Sequence, residues 1–129
     1  MKGPRILLVE DNAINRQLAH DILEHAGFEI VEATNVDEGR AQLRERVPHL
    51  VVMDVQIPGG GGELLLREIR ADARTAGLPV VAVTAFAMDG DRERLLAAGF
   101  NGYVSKPIDT RGFAATIASF LESVEVKDE

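Results

Sequence analysis

The sequence contains no cysteine, which excludes a disulfide framework and a thiolate metal site. It has no long hydrophobic run either: the apolar stretch at residues 5–9 is too short for a signal-peptide core or a membrane span, and acidic residues follow it directly. Basic residues are fewer than acidic ones, and the net charge of −7 argues against direct nucleic-acid binding, which requires clustered Lys and Arg. We therefore expect a cytoplasmic protein without membrane insertion.

The composition that remains fits one folded domain. The chain has 129 residues, a common size for a single domain, and 46% of them are hydrophobic, which is enough to bury a core. We predict one domain over residues 1–129, with its core at about 5–121 and a flexible tail at about 124–129.

Five short apolar runs alternate with longer segments of helical periodicity. The predicted strands are residues 5–9, 29–33, 49–53, 79–84 and 103–105. Strands that alternate with helices in this way form parallel βαβ units with right-handed crossovers. The pattern therefore predicts an α/β fold, an open doubly wound sheet of five parallel strands with helices on both faces.

Two helices carry local signals of their own. Ile14, Leu18 and Ile22 recur at four-residue steps and predict one apolar face of the first helix. Asn35 and Glu38 stand three residues apart, which predicts a capping box at the start of the second helix.

Polar and charged residues follow four of the predicted strands. The acidic pair Glu10 and Asp11 follows the first, Asp54 the third, Thr84 ends the fourth, and Lys106 follows the fifth. In open α/β sheets, functional residues gather beyond the carboxyl ends of the strands. Three neighbouring carboxylates repel one another, so we expect Lys106 and a hard divalent cation such as Mg²⁺ to balance them. The alternative is that the acidic pair only ends a strand and faces solvent.

Asp54 is the candidate reactive group. A carboxylate can attack phosphorus and form an aspartyl phosphate, while a metal ion and Lys106 neutralise the transferring oxygens. Thr84 can donate a hydrogen bond to the same group, or it can simply satisfy the backbone at a strand end. Pro107 either aims Lys106 through a cis peptide bond or only ends the strand.

Four short motifs, in this order and spacing, resemble the receiver domains of two-component response regulators. They are LVEDN at residues 8–12, MDVQIP at 53–58, VTA at 83–85 and YVSKP at 103–107, and the resemblance runs from residue 5 to about 121. Residues 82–88 also resemble DivK-like stand-alone receivers and receivers attached to hybrid kinases. The resemblance implies a CheY-like, flavodoxin-like fold with strand order 2-1-3-4-5 and five helices.

The resemblance also implies a Mg²⁺ cofactor with four ligands. They would be Glu10 through water, Asp11, Asp54 and the backbone carbonyl of Gln56.

The same resemblance assigns a phosphorelay role to this site. Asp54 would accept a phosphoryl group from a phosphohistidine on a histidine kinase or a histidine phosphotransfer protein, and Thr84 and Lys106 would contact it. Tyr103 would be the aromatic switch residue, although a lone tyrosine on a strand is also a common packing residue. The switch would remodel the surface of the fourth helix, fifth strand and fifth helix for a downstream protein.

The loop at residues 58–62, PGGGG, departs from the family pattern. A large apolar residue is usual where this chain has Gly60. Glycines carry high unfolded-state entropy and add little packing, so we predict a more mobile loop than is usual in the family.

Other functions fit the sequence less well. A dehalogenase-type phosphatase needs a second aspartate at Gln56, a flavodoxin would not place the acidic pair against a phosphate, and a P-loop needs lysine at Glu63. We expect a phosphoacceptor that assists its own phosphorylation and dephosphorylation, not an enzyme. A phosphorylation-independent binding adaptor remains the alternative. The given sequence shows no effector domain after the last predicted helix, so we expect output through protein binding or onward phosphoryl transfer, unless the chain is a piece of a longer protein.

Overall fold

Strands and helices alternate strictly along the chain in the computed structural model, which describes residues 3–85 and 90–128, with side chains as far as residue 121. The strands are β1 (Arg5–Val9), β2 (Glu29–Ala33), β3 (Leu50–Asp54), β4 (Val80–Thr84) and β5 (Gly102–Ser105). The helices are α1 (Ala13–His25), α2 (Val36–Glu45), α3 (Gly62–Ala71), α4 (Asp91–Ala98) and α5 (Phe113–Asp128). No helix in the described part of the chain is long and apolar enough to cross a membrane.

The five strands form one parallel sheet in the order β2-β1-β3-β4-β5. This confirms the predicted doubly wound fold and its strand order. Because β2 and β3 lie on opposite sides of β1, the winding direction reverses between β1 and β3. A topological switch point of this kind leaves a crevice at the carboxyl ends of the two strands.

Helices cover both faces of the sheet. One core cluster includes residues of α1 and α5, and the other includes residues of α2, α3 and α4. Strand side chains alternate between the two: Leu7 and Val9 belong to the α2–α4 face, and Ile6 and Leu8 belong to the α1/α5 face. β3 and β4 are buried along their whole length, because both of their faces are covered.

The predicted apolar face of α1 is wrong at two positions. Ile14 is 80% exposed and Leu18 is 37% exposed, whereas Ala19 and Leu23 are the buried residues of the helix. Ile22 is only partly buried against the same cluster. The periodicity located an apolar stripe, but Ala19 and Leu23, at i and i+4 on a different line of the helix, are the residues that pack against the core.

The ends of two helices show what local sequence does and does not determine. Asn35 caps α2 as predicted, since its Oδ1 accepts from Glu38 N at 2.8 Å. The Glu38 carboxylate completes the cap one residue earlier than in a standard box, accepting from Thr34 N at 2.8 Å. Helix α5 runs to Asp128, and no glycine or proline interrupts 113–128; the flexibility of residues 124–129 stays a prediction.

Candidate functional site

Three carboxylates meet at the switch point. Glu10 directly follows β1, and its backbone N donates to Ala33 O at 2.9 Å, so the strand ladder holds it in place. Asp54 is the last residue of the neighbouring β3. One oxygen each from Glu10, Asp11 and Asp54 lies within 4.8 Å of the others. Glu10 and Asp54 are buried while Asp11 is exposed, so the cluster opens to solvent on the side of Asp11.

Lys106 brings a positive charge into this cluster. Its backbone N donates to Thr84 O at 2.8 Å, which extends the β4–β5 ladder by one residue. Its Nζ lies 2.7 Å from Asp54 Oδ2 and 2.8 Å from Glu10 Oε1. The Lys106–Pro107 peptide bond is cis, one of the two arrangements that the sequence left open. The side chains that follow or end β1, β3 and β5 therefore converge.

The carboxylates of the cluster outnumber the positive charges beside them. Burial raises the pKa of Glu10, and hydrogen bonds from Lys106 and from Asn12 N offset this only in part. Burial alone would lower the pKa of Lys106, but its bonds to Asp54 and Glu10 outweigh that effect and the pKa is raised. The lysine thus stays charged at neutral pH. One cation faces three carboxylates, an imbalance that a bound divalent cation relieves.

The donor set fits magnesium. Among the described residues, three side chains offer carboxylate oxygens to the site, and the exposed side at Asp11 leaves room for water, which Mg²⁺ retains when it binds proteins. Gln56 lies beside the cluster, because its backbone N donates to Asp54 Oδ1 at 2.8 Å. Participation of the Gln56 carbonyl as a ligand stays a prediction.

The side chains of Thr84 and Tyr103 lie on the face of the sheet that α2, α3 and α4 cover. Thr84 is the buried last residue of β4. Tyr103 pairs in register with Ala82 and packs, partly buried, against the α2–α4 cluster. Since Thr84 is two residues beyond Ala82, strand alternation puts its side chain on the same face as the tyrosine ring. Residues 86–88, which carry part of the finer resemblance, lie outside the described residues.

The glycine loop between β3 and α3 has a backbone that favours glycine. Gly59, Gly60 and Gly61 all have positive φ, between 87° and 124°. A Cβ at Gly60 would lie 2.3 Å from Leu64 Cδ2, so the space where the family usually has a large side chain is already taken by Leu64. Greater mobility of this loop stays a prediction.

A comparison with models of protein families identifies the family of this chain. The model described as the response regulator receiver domain matches residues 6–118. The chain belongs to this family. Receiver domains act as phosphoacceptor switches rather than as conventional enzymes, bind Mg²⁺ in an acidic pocket, and interact with histidine kinases and downstream targets.

Individual relatives support the same placement of this receiver domain. The polar-differentiation response regulator DivK of Brucella anthropi is 40% identical over 116 residues, 90% of this chain and 94% of that protein. The receiver domain of sensor histidine kinase PA1611 from Pseudomonas aeruginosa, solved with a magnesium ion coordinated in its active-site cleft, is 30% identical with a TM-score of 0.85, covering 93% of this chain and 98% of that one. A putative response regulator from Chloroflexus aurantiacus is 26% identical, with a TM-score of 0.88 over 94% of this chain and 99% of that one.

Arg16, which was not predicted as a site residue, lies against the acidic pair. Its Nη1 lies 3.0 Å from Glu10 O and 3.4 Å from Asp11 O. A signal was available: α1 has no acidic residue in its first turn and carries this cation close to its start, where the helix dipole disfavours positive charge.

Proposed function

We propose that this receiver domain accepts a phosphoryl group on Asp54 from a phosphohistidine of a histidine kinase or a histidine phosphotransfer protein. The observation that carries the proposal is the contact of the Lys106 ammonium with Asp54 Oδ2 at 2.7 Å, inside a cluster with Glu10 and Asp11. A carboxylate at the carboxyl end of a strand, beside the opening to solvent at Asp11, can be reached by a donor, and the cation held against it offsets part of the charge of the transferring group.

The transfer step uses one oxygen of Asp54. That oxygen forms a bond to phosphorus, the phosphorus–nitrogen bond of the donor breaks, and the leaving imidazole nitrogen takes up a proton. Lys106 is placed to pair with the phosphoryl oxygens, and Gln56 N holds the other carboxylate oxygen at 2.8 Å. Magnesium bound by the acidic pair, Asp54 and the Gln56 carbonyl would supply further positive charge to the transferring group.

Phosphorylation would change side-chain packing on the α2–α4 face of the sheet. Thr84 would donate a hydrogen bond to the phosphoryl group, and Tyr103 would respond as the aromatic switch residue, since both side chains share the α2–α4 face. The surface of α4, β5 and α5 would then change its affinity for a downstream protein. A cytoplasmic location goes with this role.

Intact-mass measurement after exposure to acetyl phosphate tests the proposal. We expect a gain of one phosphoryl group that requires Mg²⁺ and is lost in Asp54→Asn. Asp21→Asn is the matched control, because Asp21 is an exposed aspartate of α1 outside the cluster and should leave the gain intact.

Two results would count against phosphoacceptance at Asp54. A mass gain that persists in Asp54→Asn would place the phosphoryl group elsewhere. No gain with any donor, together with partner binding that Asp54→Asn leaves unchanged, would favour the phosphorylation-independent adaptor.

A further inference from the structure

Arg16 ties the first turn of α1 to the backbone of the acidic pair. Asn12 caps the helix, its Oδ1 accepting from Asn15 N at 2.9 Å, so α1 begins directly after the acidic pair. Arg16 lies one turn further on, and its Nη1 reaches back to Glu10 O at 3.0 Å and Asp11 O at 3.4 Å. One guanidinium nitrogen therefore contacts two consecutive carbonyl oxygens.

Glu32 holds the same guanidinium from β2. The Nε of Arg16 lies 3.5 Å from Glu32 Oε1, and Glu32 Oε2 lies 2.7 Å from His20 Nδ1. The Arg16 side chain is only 21% exposed, so its contacts are partly shielded from solvent. A planar guanidinium that uses different nitrogens for the carbonyls and the carboxylate is fixed in orientation as well as in position.

The contact sets the backbone on both sides of Asp11. The Glu10 carbonyl belongs to the peptide plane before Asp11, and the Asp11 carbonyl belongs to the plane after it. Restricting both planes restricts φ and ψ of Asp11, and with them the direction of its Cα–Cβ bond. Asp11 is the exposed member of the carboxylate cluster.

We propose that Arg16 is a positioning residue for the magnesium site, which holds the Asp11 carboxylate towards the ion by fixing the two peptide planes around it. The inference rests on the proposed function, because it takes Asp11 to be a magnesium ligand. Residues that orient metal ligands without touching the metal are often as important for affinity as the ligands themselves.

Two effects of Arg16 on magnesium affinity have opposite signs. Through space, a positive guanidinium repels a divalent cation, so its removal would tighten binding. Through the backbone, its removal frees the turn that carries Asp11 and would weaken binding. The sign of the change therefore separates a positioning residue from a nearby charge.

The test is a Mg²⁺ titration of the melting temperature, from which the half-saturating concentration is obtained by linkage. We expect Arg16→Gln to raise that concentration by about tenfold, the lower end for groups that orient metal ligands. Arg16→Lys keeps the charge and can reach one carbonyl, so its half-saturating concentration should lie between those of wild type and Arg16→Gln. Arg5→Gln is the matched control, since Arg5 pairs with Glu29 at 2.7 Å and links β1 to β2 at the opposite end of the strands.

The control separates positioning from general destabilisation. Loss of stability without Mg²⁺ is expected in both glutamine variants, but only Arg16→Gln should change the half-saturating concentration. If wild type binds Mg²⁺ but the half-saturating concentration of Arg16→Gln is unchanged or lower, the positioning role of Arg16 is refuted. If wild type shows no Mg²⁺ shift at all, the proposed function fails with it. Should Arg16→Gln not fold, Arg16→Lys decides: a concentration equal to that of wild type would refute the role.

Discussion

Lys106 is the residue whose removal tests the charge balance of the site most directly. Its ammonium binds Asp54 and Glu10 at 2.7 and 2.8 Å, and these two carboxylate side chains are only 8% and 5% exposed. Lys106→Met keeps an unbranched apolar chain that is one atom shorter, and it removes the charge and the hydrogen bonds of the ammonium. The two carboxylates would then face each other at the switch point with no cation between them.

The size of the effect follows from the burial of the partners. Removing one member of a buried ion pair costs about 3–5 kcal/mol of stability, because the remaining charge is left uncompensated. The cluster opens to solvent beside Asp11, so the lower end applies and we expect a loss of about 3 kcal/mol. For a domain of this length, such a loss lowers the melting temperature by about 10 °C.

Magnesium should reverse part of this loss. The divalent cation brings positive charge to the same carboxylates, so the difference in stability between wild type and Lys106→Met should shrink as Mg²⁺ is added. Urea denaturation with and without Mg²⁺ measures both free energies of unfolding.

Arg94→Met serves as the control for Lys106→Met. Arg94 pairs with Glu63 on the surface, its side chain is 53% exposed, and exposed pairs contribute about 0–1 kcal/mol. The reasoning is refuted if both variants lose equal stability, or if the deficit of Lys106→Met does not respond to Mg²⁺.

Three further perturbations test other parts of the structure. Mg²⁺ should raise the melting temperature of wild type more than that of Asp54→Asn, which lacks one of the repelling charges; equal shifts would contradict the metal pocket. Burial alone would lower the pKa of His20, but its hydrogen bonds, chiefly to Glu32, outweigh this and raise it. The stabilisation is therefore complete below pH about 6.5 and is lost as pH rises through the raised pKa. Urea denaturation should show a larger loss in His20→Gln at pH 6 than at pH 9, and a constant difference would exclude the ion pair. Gly62→Ala should lose about 1–3 kcal/mol in the same assay, because its Cβ would lie 2.8 Å from Asp54 O. Gly77→Ala, with no neighbour within 4 Å, should lose little; similar losses would reject the steric argument.

The fold was predictable because its signals are local and repeated. β3 and β4 are apolar runs buried on both faces, and residues such as Asn35 and Gly99 mark helix ends through their own hydrogen bonds or backbone angles. The exposure of Ile14 could not be predicted in the same way. An apolar stripe on a helix shows only that a face exists, and which residues reach the core depends on how the helix docks.

The candidate site was predictable only as far as strand ends determine it. Glu10, Asp54 and Lys106 directly follow or end strands, so the sheet itself brings them together. Arg16 reaches the acidic pair from within a helix; the sequence shows a cation near the helix start, but not the backbone carbonyls that it contacts. Its partner Glu32 lies 16 residues further along the chain, and only the pairing of β1 with β2 places it there.

The geometry also suggests how a charge change at Asp54 would cross the sheet. Val83 and Val104 pack on the α1/α5 face, whereas Tyr103 packs on the α2–α4 face. Thr84 is linked to both Lys106 and Tyr103, because its carbonyl accepts from Lys106 N at 2.8 Å while alternation puts its side chain on the face of Tyr103. A movement of Lys106 or Thr84 towards a phosphoryl group would therefore pull on the end of β4 directly. Under the proposed function, Thr84 would be the residue that couples phosphorylation of Asp54 to the packing of Tyr103.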